Sequence, residues 1–245
     1  MDIKGPTLNK FLADAGICSR RKAAELIKEG KIIVNKKEVL DPAYRVKPTD
    51  KIKYGDRYIK TEQTKIYIVM NKPKDCITTL SDELGRKSVI DIINKGPLKK
   101  YRLFPVGRLD KDTTGVLFLT NDGEFAQRLA HPKSEISKTY LVTIKGEMND
   151  KDFIHLTQGV RLTDGLVKPD RVFRVKSRIE GKSQINIQLH SGKNRIVRRM
   201  IEHFGYLVDK LDRTNFGGVS KFGLKPGAYR SLTVQEIRSL MSVEE

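Results

Sequence analysis

The chain has 245 residues, 38% of them hydrophobic, enough to pack one large domain or two modest ones as a globular protein. Forty-eight Lys and Arg against 30 Asp and Glu leave a formal charge of +18, spread along the chain, which points to a polyanionic partner. Spanning-length apolar runs are absent, MDIKGPTLNKFLADAG lacks a signal-peptide core, and Cys18 and Cys76 are too few for a disulfide framework, so a soluble cytoplasmic protein with reduced thiols and no metal site is expected. With no Trp and 7% aromatics, nucleic-acid binding would rest on charge and a few placed rings.

Residues 8–15, LNKFLADA, have the spacing of a short helix with Leu8, Phe11, Leu12 and Ala15 on one face, ended by Gly16. A second helix is expected after Ser19 as N-cap, with Ala23, Leu26 and Ile27 as its buried stripe and Gly30 at its C-terminal end; Arg20, Arg21, Lys22 and Lys28 then take the exposed side. KIIVN reads as a strand that turns through Asn35-Lys36-Lys37, and KIKY at 51–54 as another. The whole run LNKFLADAGICSRRKAAELIKEGKIIVNKKEV resembles the S4-type RNA-binding domain, in which the second helix and the turn after it present basic side chains to structured RNA. The resemblance implies RNA contacts from Arg20, Arg21, Lys22, Lys28, Lys36 and Lys37, with Lys36 standing where that family commonly places glycine. A merely solvated helix face is the alternative, and the charge of the chain favours phosphate neutralisation with counterion release.

Residues 54–64, YGDRYIKTEQT, are polar with little apolar periodicity, which sets a boundary and gives domains of residues 1–62 and 63–245. KIYIVMNKP begins the second domain as an apolar strand stopping at Pro73; SDELGRK is a charged loop and SVIDII a short helix. Leu103–Thr120 encloses a polar segment holding Arg108, Asp110, Lys111 and Asp112 between the apolar runs LFPV and VLFLT. Two buried strands joined by a charged loop read this way, and charges beside a core cost several kcal/mol unless paired or put to chemical use; an ordinary solvated hairpin loop is the alternative. Asn121 or Asp122 is expected to cap a helix carrying Phe125, Ala126 and Leu129, closed by Pro132. SKTYLVTIKG alternates as a half-buried strand with Tyr140, Val142 and Ile144 on one side. DKDFIHLTQG reads as a helix, RVFRV and QINIQLH as strands, and Lys193–Phe204 as a helix buried through Ile196, Val197, Met200, Ile201 and Phe204, ended by Gly205. Thr233 and Glu236 form a capping box for a last helix. Without regular strand–helix alternation, the expected class is α+β: a small α/β RNA-binding domain, then a catalytic domain with a mixed, mostly antiparallel sheet.

GRLDKDTTGVLFLTNDGEF, SKTYLV and KNRIVRRM, in that order behind the S4-type module, are similar to the catalytic motifs of the ribosomal RNA pseudouridine synthases of the RsuA/RluB/RluE/RluF family, over nearly the whole chain. The resemblance implies cleavage of a uridine N-glycosidic bond, rotation of the uracil and reattachment through carbon-5, with no cofactor. It places the catalytic role on Asp110 rather than Asp112, an opposing cation at Arg198, a ring against the target base at Tyr140, and occupancy of the vacated base position at Arg108. The carboxylate can act as nucleophile or as electrostatic and proton-moving group, and sequence leaves both open. Lys72 and Lys138 are read as substrate contacts, His131 as structural, and Arg195 and Arg199 as phosphate contacts or surface charges; Ile196 stands where the family commonly has Gln. An alternating strand with Tyr is otherwise core, which is the second reading of Tyr140. The expected partner is structured ribosomal RNA with the uridine in a loop or bulge, more in keeping with the large subunit than the small, and the chain a monomer by default. A non-catalytic ribosome-assembly protein and a base hydrolase releasing free uracil are the competing classes.

Overall fold

A computed structural model describes residues 5–61, 64–131, 134–177 and 179–242. The chain forms two compact units: Met1–Ile66 with the segments Lys99–Arg102 and Asn121–Gly123, and the remainder.

In the first unit, α1 (Leu8–Asp14) and α2 (Arg20–Lys28) bury Leu8, Leu12, Ala23 and Ile27 against Ile32 and Ile52 of a four-stranded sheet. Ser19 caps α2, its Oγ accepting from the Lys22 amide at 3.2 Å. The sheet runs β2 (Lys37–Glu38), β1 (Ile32–Val34), β3 (Ile52–Tyr54), β4 (Arg57–Tyr58). β4 falls within the polar stretch 54–64: a tight turn at Gly55 folds Arg57–Tyr58 back on β3, a pairing too short and too exposed for hydrophobic alternation to reveal. Asn35 and Lys36 both have positive φ, 51° and 68°, the geometry that matches a two-residue hairpin turn to strand twist. The Asn35 side chain stakes the turn, Nδ2 donating to Asp50 at 2.8 Å and Oδ1 accepting from the Lys51 amide at 2.9 Å.

The second unit is built on a nine-stranded sheet. Its strands are β5 (Tyr67–Lys72), β6 (Phe104–Pro105), β7 (Thr113–Thr120), β8 (Lys138–Lys145), β11 (Arg171–Val175), β12 (Lys182–Leu189), β13 (Val208–Phe216), β14 (Val219–Ser220) and β15 (Tyr229–Ser231), while β9 (Val160–Leu162) and β10 (Gly165–Val167) form a separate hairpin. The order β11-β12-β8-β13-β7-β5-β15 is antiparallel at every named pairing but β13–β7. The expected α+β class with a mixed, mostly antiparallel sheet is what is found. β7 lies between β13 and β5 and is buried continuously from Gly115 to Thr120, which explains its unbroken apolar run. The helices are α3 (Val89–Asn94), α4 (Gly123–Ala130), α5 (Asp150–Gln158), α6 (Ile196–Glu202) and α7 (Val234–Met241). Phe125 and Leu129 of α4 and Leu240 of α7 pack on Val69, Phe118 and Phe216 from the sheet, each such side chain contributing about 1.5–3 kcal/mol by leaving water. Thr233 and Glu236 form the expected capping box, and Ser88 with Asp91 forms another at α3.

Three expectations are corrected or fall outside. The helix expected from Lys193 begins at Ile196, because Arg195 sits in the left-handed region (φ 48°, ψ 30°); Phe204 is only half-buried and Arg198 joins the buried stripe instead. Asn121 does not cap α4, its amide being committed to the Ile66 N–H and the Thr64 carbonyl at 2.8 and 2.9 Å. Pro132 lies outside the described residues.

A Cβ in the left-handed region costs about 1–2 kcal/mol, of which glycine's extra unfolded-state freedom cancels part. Lys36→Gly is therefore expected to stabilise the β1–β2 hairpin by about 0.5–1 kcal/mol, read as slower amide exchange of β1 and β2 in the full chain; unchanged or faster exchange contradicts it.

Candidate active site

The β6–β7 loop is the piece of backbone whose position matters most, and two side chains and one backbone bond fix it. Thr78 Oγ1 donates to the Leu109 carbonyl at 2.8 Å and accepts from the Leu109 amide at 3.3 Å. On the far side of Asp110, the Lys72 ammonium donates to the carbonyls of Lys111 (3.2 Å), Thr113 (2.8 Å) and Pro73 (3.0 Å). The Thr113 amide closes the turn on the Asp110 carbonyl at 3.1 Å. Asp110 is thus presented from a loop clamped on both flanks.

That carboxylate stands on the wall of a cavity of about 680 Å³ inside the second unit. Its side chain keeps 38% of its exposure, and Arg195 Nη1 lies 3.5 Å from Oδ2. Tyr140, 8% exposed, faces the same cavity from β8, paired in register with Arg213 on β13. Lys138 stands two residues earlier on β8 and Arg108 two before Asp110; both line the cavity, as do Ile196 and His131. Asp110, Arg108, Tyr140, Lys138 and Arg195 are therefore brought together from positions between 108 and 195 of the chain, Arg108 remaining exposed at the surface.

Two residues expected at the substrate do not line the cavity. Arg198 does not face Asp110: it is 7% exposed, does not line the cavity, and directs Nη1 to the Val208 carbonyl at 3.4 Å, with Nε buried and unpartnered. Arg198 is among the buried residues of α6 with Val197 and Ile201, and Arg195, at the N-cap, reaches the carboxylate. Lys72 does not line the cavity either. It is fully buried, its three bonds go to backbone, and desolvation pushes its pKa below the ordinary lysine value against the opposing pull of Cys76 and Asp110.

Arg199, expected at phosphate or in solvent, is engaged by Asp164 in the turn between β9 and β10, with a 3.1 Å bond from Nη1 and a closer one from Nη2; this pair holds the Asp164 carboxyl below the usual range. Lys193 Nζ donates to the Asp164 carbonyl at 2.7 Å. The Arg195-bearing segment is thus tied down on both sides of Arg195. Sequence reading missed Asp164 and Arg213; the Thr163-Asp164-Gly165 turn signal was available for the first, and nothing distinguishes the second from a surface strand arginine. Asp112 is exposed and does not line the cavity. In the first unit, Arg20, Arg21, Lys22, Lys28, Lys36 and Lys37 are all exposed, Lys22 pairing with Glu25 at 2.8 Å.

Lys138 Nζ donates to the carbonyls of Ile136 (3.1 Å) and His190 (2.9 Å). Burial, and then the nearby Arg213 charge, push its pKa down to about 8. His190 in turn bonds through Nδ1 to Asp170 at 3.0 Å.

Comparison with known proteins bears on this arrangement. Residues 66–203 match the RNA pseudouridylate synthase family, and residues 7–52 match the S4 domain. The chain is 40% identical to the ribosomal large subunit pseudouridine synthase B of Bacillus subtilis, over 97% of this chain and 96% of that one. It is 35% identical to the dual-specificity RNA pseudouridine synthase RluF of Escherichia coli O6:H1, over 97% of this chain and 79% of that one. A crystal structure of a pseudouridylate synthase superposes with a TM-score of 0.66 at 27% identity, covering 96% of this chain and all of the other.

Removing the Lys72 ammonium leaves three carbonyls without their donor. Lys72→Met is expected to cost about 2–4 kcal/mol in chemical denaturation of the full chain, and Lys72→Arg is expected not to restore it because a planar fork cannot converge on three carbonyls. For Lys138 the sign runs upward with pH: its folded-state pKa is depressed, so the cost of burying its charge is present below about pH 8 and relieved as pH rises toward the unfolded-state value of 10.5. Wild type should therefore gain stability relative to Lys138→Met between pH 8 and 10; a constant difference between their denaturation midpoints contradicts this.

Proposed function

The chain belongs to the RNA pseudouridylate synthase family, an isomerase family, and on that premise we propose that it converts a uridine of large-subunit ribosomal RNA to pseudouridine with Asp110 as the catalytic carboxylate. The observation that carries the reading is the Asp110 carboxylate on a cavity wall, 3.5 Å from the Arg195 guanidinium and sharing the cavity with Tyr140. The share of the large subunit in it rests on the 40% identity to the Bacillus subtilis protein over almost all of both chains.

In the proposed reaction the uridine is extruded from folded RNA, at a cost of a few kcal/mol of stacking and pairing, and its base enters the cavity beside Tyr140. Arg108, exposed next to the cavity, takes the vacated position. The C1′–N1 bond breaks with its electron pair leaving on the uracil, and the Asp110 carboxylate meets the electron deficiency at C1′, or first adds to the ring as nucleophile. The uracil turns, C5 bonds to C1′, the C5 proton is lost and N1 gains one, so no atom is gained or lost overall. Arg195 offsets the carboxylate charge while the base excludes water, the role that sequence reading gave to Arg198. Residues 1–62 hold the RNA through the exposed basic set on α2 and the β1–β2 turn, and residues 63–245 carry out the chemistry.

Asp110→Asn is expected to lower pseudouridine formation in ribosomal RNA by more than about 10³-fold while RNA affinity stays within a few-fold, and Arg195→Ala to lower kcat about 10–100-fold. Mapping pseudouridines by chemical labelling in cells with and without the gene should show one large-subunit site, or a few adjacent ones, lost. Full activity in Asp110→Asn sinks the catalytic reading, release of free uracil would mark a hydrolase, and a lost site in the small subunit would reassign the substrate.

A further inference from the structure

Two cations beside the Asp110 cavity have no acid to answer them. Arg213 is 3% exposed; its Nε donates to the Val116 carbonyl at 2.8 Å, while Nη2 is wholly buried with no hydrogen-bond partner. Lys138 spends two of its three N–H donors on carbonyls and keeps one. Both cations sit over the same ring, the Arg213 guanidinium 4.7 Å and the Lys138 ammonium 5.3 Å from the centre of Phe216, and the Arg213 charge acts on Lys138. Among the described residues, neither has a carboxylate within ion-pair distance, whereas the neighbouring Arg195 has Asp110 and Lys193 has Asp164. Leaving a buried charged donor unpaired costs more than leaving a neutral one so.

The backbone is arranged to hold Arg213 there. It is paired in parallel with Gly115 of β7, which has φ 106°, and a side chain at 115 would run into the Arg213 carbonyl and the Asp212 carboxylate. It is also opposite Tyr140 across β8–β13, and Lys138 shares the Tyr140 side of β8 and lines the same cavity.

We propose that Arg213 and Lys138 form an oxyanion site for the uracil ring, receiving the negative charge that reaches a ring carbonyl oxygen during isomerisation. The inference rests on the functional reading above and deepens it. Either route produces such a charge. When the C1′–N1 pair departs with the base it spreads from N1 onto the O2 and O4 oxygens, and when the Asp110 carboxylate adds to the ring the electrons displaced collect on O4. A phosphate is the rival anion, but a phosphodiester is fully charged and strongly hydrated and suits the exposed Arg108 better than donors sealed beside Tyr140. Donors fixed before the reaction in a site without bulk water stabilise developing charge most, because nothing need reorganise.

The test compares wild type with Arg213→Gln, Arg213→Lys and Lys138→Met on RNA carrying uridine or 5-fluorouridine at the target position, after confirming that each variant melts cooperatively. Arg213→Gln is expected to lower kcat on uridine about 10²-fold with KM changed less than about three-fold, Arg213→Lys to recover part of it, and Lys138→Met to lose about ten-fold. Fluorine at C5 withdraws electrons from the ring and needs less help, so single-turnover cleavage of the fluorinated nucleotide should narrow the Arg213→Gln deficit about ten-fold. Should Arg213→Gln not fold, Arg213→Lys and Lys138→Met carry the same comparison. Equal deficits on both nucleotides indicate a structural role and overturn the proposal. So does a loss confined to KM with a salt-dependence slope shallower by about one, the mark of a phosphate contact. A wild-type chain that isomerises no uridine removes the functional reading and this inference together, whereas an active wild type with a full-speed Arg213→Gln removes this inference alone.

Discussion

One ammonium out of reach of water governs where the Asp110 loop sits. Lys72 ends β5, and its three bonds draw the carbonyls of Pro73, Lys111 and Thr113 to a single point. A charge buried in this way is tolerable only because every donor is satisfied, so the lysine stiffens the loop in proportion to what its desolvation costs. Thr78 secures the other flank through both backbone groups of Leu109. Asp110 between them inherits the rigidity of a sheet while remaining on a loop, the combination a positioned carboxylate needs.

The counter-cation follows the same logic through backbone strain. Arg195 adopts a left-handed conformation that costs a non-glycine residue about 1–2 kcal/mol, and the cost is borne because Lys193 and Arg199 on either side are tied to Asp164. The left-handed turn at Arg195 starts α6 only at Ile196, and from this N-cap position Arg195 reaches Asp110 while Arg198 stays among the buried residues of the helix.

Much of this was legible in advance where the signal was local. Ser19, Thr233 and Glu236 announced their helix caps, the alternation of 137–146 announced β8 with Tyr140 inward, and the paired apolar runs around Asp110 announced β6 and β7. The pairing of β13 with β7 and β8 was not legible, because register between distant strands depends on the assembled sheet rather than on either segment. Lys72 reads as a surface reach for a related reason: two of the three acceptors that bury it come from residues 39 and 41 positions away. Arg213 gave no signal at all, since only the β13–β7 contact reveals that its side chain is inside.

The insertion of β13 between β7 and β8 has a consequence for how the chain is made. Arg213 meets the Val116 carbonyl 97 residues away, so β7 and β8 leave the ribosome well before the strand that separates them and meanwhile present unpaired edges. Closure of the sheet is therefore a late, long-range event in biosynthesis. A nascent polypeptide ending short of residue 208 would have Asp110 and Tyr140 but no β13 joining their strands, so the cavity they share is completed only once that strand has been made.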